Sequence, residues 1–192
     1  MRRLVLLSVM ALAVLAGHGG CEEIEYEKRH KDNPCVTLET NHGTMTLELY
    51  RDVAPAHVDS FVARTVEGFY DSTIFHRIID QFMIQGGQPR KGSPNVDYTL
   101  DLEPSDVPHR EGTLAMARTP DPNSAGTQFY IVLTQERTKH LDGQYTVFGH
   151  LISGYEVLHE IGAVKTNKSV PLEPVVLTKA FMSDVEGNPE KE

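Results

Sequence analysis

Ile74-Phe75-His76-Arg77-Ile78-Ile79-Asp80-Gln81-Phe82-Met83-Ile84-Gln85-Gly86-Gly87 holds two short apolar runs, Ile74 to Ile79 and Phe82 to Ile84, closed by a glycine pair. Runs this short, stopped by turn residues, predict strands. The same pattern recurs at Thr113 to Ala117, Phe129 to Leu133, Val147 to Phe148 and Val175 to Phe181. Many short strands with turn signals between them suggest a barrel or a sandwich. Upstream, Val36, Leu38 and Thr40, then Met45, Leu47 and Leu49, alternate with polar residues on either side of Asn41-His42-Gly43, which reads as a β-hairpin. Pro55 can open a helix in which Val58, Phe61, Val62 and Val66 recur at helical spacing until Gly68. A second short helix fits Tyr155 to Ile161, with Val157, Leu158 and Ile161 on one face. The expectation is a mainly β, antiparallel domain with two helices placed to plug the open ends of a barrel.

The N-terminus is different in kind. Residues 1–20 have a basic start at Arg2 and Arg3, an apolar stretch from Leu4 to Leu15 broken only by Ser8, and small residues before Cys21. This is the layout of an export signal. Its apolar core is too short to cross a bilayer, which takes about 20 residues. Two endings are open. Cys21 stands where a lipoprotein acceptor cysteine would, although His18 occupies a position usually held by an aliphatic residue, and ordinary cleavage after Ala16 is the alternative. Residues 21–34 read as a polar flexible spacer, 35–182 as the folded domain and 183–192 as an acidic tail. The expected location is the periplasm, with a possible membrane anchor through Cys21, and the expected state is a monomer.

Charge and composition exclude several classes. The formal net charge is −9, and without the leader arginines 16 basic residues face 27 acidic ones, a balance of −11. A polyanion such as nucleic acid would be repelled. Cys21 and Cys35 are the only cysteines, free to pair in an oxidising compartment if Cys21 carries no lipid. The nine histidines show no compact ligand spacing, so neither a metal nor any other cofactor is expected. No serine sits in a Gly-x-Ser-x-Gly elbow, which argues against a hydrolase. Gly86, Gly87, Gly126 and Gly143 read as backbone devices with positive φ.

Four segments carry the informative side chains: Phe75 to Ile79, Phe82 to Gly87, Ala115 to Tyr130, and His140-Leu141-Asp142-Gly143 with Phe148-Gly149. In these segments, and from the hairpin through Ala54-Pro55 to the final strand, the chain resembles the cyclophilins. The resemblance implies an eight-stranded antiparallel barrel closed by two helices, binding proline-containing polypeptides on its outer surface and isomerising the X-Pro bond. It assigns catalysis to Arg77, with Gln85 beside it. It assigns the proline pocket to Phe82, Met83, Tyr130 and Leu141, the groove for the preceding residues to Ala117, Arg118 and Gln128, and the edge of the site to His76. On composition alone those apolar residues would be core, and Arg77 a surface residue or ion-pair partner. His140 stands where many members have a tryptophan important for cyclosporin, Tyr145 replaces a common histidine, and Arg118 a common asparagine.

The residue types suit that chemistry. Amide resonance sets a rotational barrier of about 18–20 kcal/mol. When the bond twists, the nitrogen regains a lone pair, and a fixed donor there binds the transition state preferentially. An arginine is permanently charged, planar and rich in N–H groups, and a neighbour such as Gln85 can hold its fork.

Overall fold

Alternation along the first hairpin defines the inside of the molecule. β1 (Cys35–Thr40) and β2 (Gly43–Leu49) pair antiparallel, with Val36 opposite Leu47 and Leu38 opposite Met45. All four side chains are fully buried, as residues spaced by two on one face should be. The computed structural model describes residues 33–90 and 98–190. After the hairpin come α1 (Pro55–Val66), β3 (Thr73–Ile74), β4 (Arg77–Ile79), β5 (Met83–Gly86), β6 (Thr113–Met116), β7 (Phe129–Val132), a 3-10 turn (Lys139–Leu141), β8 (Val147–Ser153), α2 (Tyr155–Gly162), β9 (Thr166–Asn167), β10 (Val170–Pro171) and β11 (Val176–Ser183).

Nine strands form one antiparallel sheet in the order β3-β11-β1-β2-β8-β6-β7-β5-β4, and β9 with β10 makes a separate ribbon. The two edge strands, β3 and β4, are neighbours in the chain, separated only by Phe75 and His76. The sheet therefore curls until its first and last strands meet through the backbone. Taking β3 and β4 as one strand bent at this link reduces nine segments to the expected eight. The single run read from Ile74 to Ile79 divides because its two halves bond different neighbours, β11 and β5. In the link Phe75 N donates to Val175 O at 2.9 Å, and in β4 Ile78 N donates to Ser169 O at 2.8 Å.

The core gathers the inward faces of the strands and of both helices. Phe129 sits at its centre, meeting Phe61, Tyr70 and Phe75 edge-on at centroid distances of 5.3, 5.6 and 6.1 Å, an arrangement that aromatic quadrupoles favour. The face of α1 departs from the sequence reading: Val66 is 71% exposed, whereas His57 and Thr65 are buried beside Val58 and Phe61. At about 100° per residue Thr65 returns to within about 20° of Val58, while Val66 is turned about 80° away. The Thr65 hydroxyl is satisfied by donating to Phe61 O at 2.9 Å.

Two further expectations are corrected. Gly87 and Gly143 do take positive φ, but Gly86 and Gly126 do not. Gly86 instead sits in a crowded place, since a Cβ there would stand 3.1 Å from the Phe75 ring. Ser183, read as the start of a solvated tail, is the buried end of β11 and accepts a hydrogen bond from Thr37 at 2.8 Å. The exposed segment that follows turns back on the strand, with Glu190 N donating to Met182 O at 3.1 Å.

Candidate active site

The alternation that fills the barrel also lays out its outer face. In β4 Ile78 points into the core, in β5 Ile84, in β7 Phe129 and Ile131, and in β6 Leu114 and Met116. Their neighbours must then face outward. The register aligns these neighbours: Arg77 lies opposite Gln85, Gln85 opposite Tyr130, Tyr130 opposite Ala115, and Ala115 opposite Val147. A second row places Ile79 opposite Met83 and Met83 opposite Val132. A slip of one residue in β4 would turn Arg77 into the core.

Along the first row, the exposed Arg77 donates from Nη1 to Gln85 Oε1 at 3.1 Å, and Gln85 Nε2 donates to Gln128 Oε1 at 2.9 Å. Gln85 uses both ends of its amide, so its orientation is fixed by partners on two sides. His76, next to Arg77, has its pKa lowered, first by burial and then by the Arg77 charge, against a hydrogen bond from Gln128. Its imidazole is therefore neutral at neutral pH.

Beside this chain lies a second apolar cluster, separate from the barrel core. It contains Met83, Val107, Ala115, Tyr130, Val132, Leu141 and Val147, with Phe82, Ala117 and Tyr145 packed against it. His140 is exposed and stacks on Phe82, rings 6.1 Å apart and 11° from parallel. Tyr145 meets Tyr130 edge-on at 6.0 Å. The Arg118 guanidinium lies 4.4 Å from the Tyr145 ring centroid and donates to Gln144 O at 2.8 and 3.1 Å and to Thr119 O at 2.8 Å. Arg118 thus ties two loops across the mouth of the cluster.

The described residues assigned to catalysis and to the pocket lie along this face, although they are spread in sequence from His76 to Tyr145. Cys21 lies outside the described residues. Two residues without an expected role also belong to the site. His109 is fully buried, with Nε2 2.9 Å from Tyr130 Oη and Nδ1 2.9 Å from Asp142 Oδ1. Asp142 was within a quoted motif, directly after Leu141; nothing near His109 in sequence marks it. A cleft of about 1160 Å³ opens elsewhere, among Glu48, Tyr50, Arg110, His150 and Tyr155, and does not include Arg77.

The geometry defines a class: an antiparallel barrel that offers, on its outer surface, an exposed arginine held by Gln85 beside an apolar cluster. Residues 35–181 match the family model of the cyclophilin type peptidyl-prolyl cis-trans isomerases. Peptidyl-prolyl cis-trans isomerase B of Escherichia coli is 36% identical over 166 residues, covering 78% of this chain and 99% of that protein. An isomerase of Schizosaccharomyces pombe is 39% identical over 152 residues, covering 76% of this chain and 96% of its own. The crystal structure of a cyclophilin type isomerase of Cryptosporidium parvum, determined in the presence of the dipeptide Ala-Pro, superposes with a TM-score of 0.72 at 30% identity, covering 78% of this chain and 99% of that one. The chain belongs to the cyclophilin-type peptidyl-prolyl cis-trans isomerases.

Proposed function

We propose that Arg77 is the catalytic residue of this isomerase and that its substrates are exported polypeptides. Support for the first part comes from one observation: Arg77 is exposed beside the apolar cluster, and Gln85 is its hydrogen-bond partner at 3.1 Å. A guanidinium has five N–H donors, so most remain for a ligand. A proline ring seated among Phe82, Met83, Tyr130 and Leu141 brings its nitrogen toward that fork. As the bond twists, Arg77 donates to the pyramidal nitrogen, while Gln85 holds the fork in place. The interaction is absent in the planar ground state, so it lowers the barrier rather than merely tightening binding. Ala117, Arg118 and Gln128 take the residues before proline. The reaction moves no proton and forms no covalent intermediate. Catalysed exchange between the cis and trans signals of a short Ala-Pro peptide tests turnover; binding without exchange would make the face a prolyl-segment docking module.

The second part rests on residues 1–34: a basic, apolar and small-residue leader, then Cys21 and a polar segment up to Asn33. In this reading the mature protein is monomeric and periplasmic, with a lipid on Cys21 and the polar segment as spacer. Fractionation checks it. Cys21→Ser should move the protein from the membrane to the soluble fraction, and a wild-type protein already soluble, or one with Cys21 bonded to Cys35, would contradict the anchor.

A further inference from the structure

Tyr130 is an unusual wall for an apolar pocket, because its ring ends in a hydroxyl that must find a partner once buried. That partner is His109, whose ring lies 12° from parallel to Tyr130 and whose Nε2 is 2.9 Å from the hydroxyl. The other ring nitrogen, Nδ1, is 2.9 Å from Asp142 Oδ1, and the same oxygen accepts the His109 backbone N–H at 2.7 Å.

The chemistry of the three groups allows one arrangement of protons. An ionised carboxylate only accepts, so Nδ1 carries the hydrogen. Burial lowers the His109 pKa, outweighing support from Asp142. Nε2 is then a lone pair, and the Tyr130 hydroxyl donates to it. Burial holds the Tyr130 phenol well above its ordinary pKa, so it keeps that proton.

The position of this chain matters more than its strength. Tyr130 belongs to β7, whereas Asp142 follows Leu141 in the loop that also carries His140 and Tyr145. Thr138, at the start of that loop, donates from Oγ1 to His109 O at 2.8 Å. His109 therefore grips the sheet side of the apolar cluster through its ring and the loop side through ring and backbone together. Removing it takes away the polar tie between Tyr130 and the Leu141 loop, leaving the Tyr130–Tyr145 ring contact and the Arg118 bonds to Gln144 O between the two sides.

We propose that His109 and Asp142 are positioning residues that hold Tyr130 and the Leu141 loop at a fixed separation as opposite walls of the proline pocket. The inference rests on the reading of that cluster as the proline pocket. A pocket grips the pyrrolidine ring equally in the planar and twisted states, so loosening it weakens binding without slowing the bound reaction.

The test is a double-mutant cycle on a short Ala-Pro peptide, with Kd from titration and the exchange rate at saturation from the same spectra. His109→Leu, of similar volume, should raise Kd roughly tenfold and leave the saturated rate within about twofold. Tyr130→Phe sets its own baseline. On that baseline His109→Leu should change Kd by less than about twofold, because no hydroxyl is left without a partner. Asp142→Asn, at a partly exposed position, serves if His109→Leu does not fold, and should raise Kd about threefold in the Tyr130 protein only. An equal Kd penalty in both backgrounds, or a fall in the saturated rate at constant Kd, overturns the inference. No exchange by the unaltered protein would instead be a failure of the catalytic reading.

Discussion

Arg77 and Gln85 are eight positions apart in sequence and directly opposite each other across β4 and β5, so the glutamine reaches the guanidinium without either backbone bending. Gln85 also donates to Gln128, which limits how far the arginine can swing. Gln85→Ala should leave the fold intact and lower kcat/KM by about tenfold, the cost of a loosened rather than missing donor. A fall as large as that of removing the arginine would make Gln85 a direct participant. At this scale the sequence was informative where residues fell inside motifs of known order: Arg77, Gln85, Phe82, Met83, Tyr130 and Leu141 were all named from them. It was silent on His109. That residue and Asp142 are 33 positions apart, and neither has a local pattern, because a buried hydrogen-bond chain depends on tertiary approach alone.

The start of α1 shows how a loop can complete an element. Ala54, at the N-cap, offers no side-chain oxygen, so the first free N–H groups need an outside acceptor. Glu103 supplies it: its carboxylate accepts from Ala56 N at 3.1 Å, from His57 N at 3.0 Å, and from His57 Nδ1 at 2.5 Å. The negative charge also suits the positive end of the helix dipole. Glu103→Ala should destabilise the protein by about 2 kcal/mol, summing a lost cap and a buried imidazole N–H left without its acceptor. Urea denaturation at constant m-value checks this, and a change below about 0.5 kcal/mol would remove Glu103 from the account. Pro55 announced the helix, but the cap was illegible because it comes from a loop 46 positions away from His57. Apolar spacing also nominated Val66 where Thr65 is buried, since a threonine that bonds its own helix can replace a valine in a core.

Among the described residues, His76, His109 and His150 favour the folded state when neutral. Burial lowers the pKa of His76 and His109 and takes that of His150 to about 4. The unfolded chain binds their protons near pH 6.5, so this contribution is complete above that value and is lost as pH falls toward the folded pKa values. Each histidine can steepen the loss by up to about 1.4 kcal/mol per pH unit. Denaturant midpoints should therefore drop between pH 7 and pH 5, and a flat profile would contradict the burial of these rings. Short alternating strands left a barrel or a sandwich open, and the cyclophilin resemblance carried the eight-stranded barrel. Its closure was not readable: the meeting of β3 and β4 through Phe75 and His76 depends on which neighbours each half-strand bonds. β4 is the last strand of the sheet, and Arg77 on its outward side meets solvent. The proposal that Arg77 acts on the twisted bond is tested by kcat/KM for a short Ala-Pro peptide in a folded Arg77→Ala protein. The expected loss is about 100- to 1000-fold, as for removal of one preorganised transition-state donor; a soluble, folded variant with near-native kcat/KM would contradict a catalytic role for Arg77.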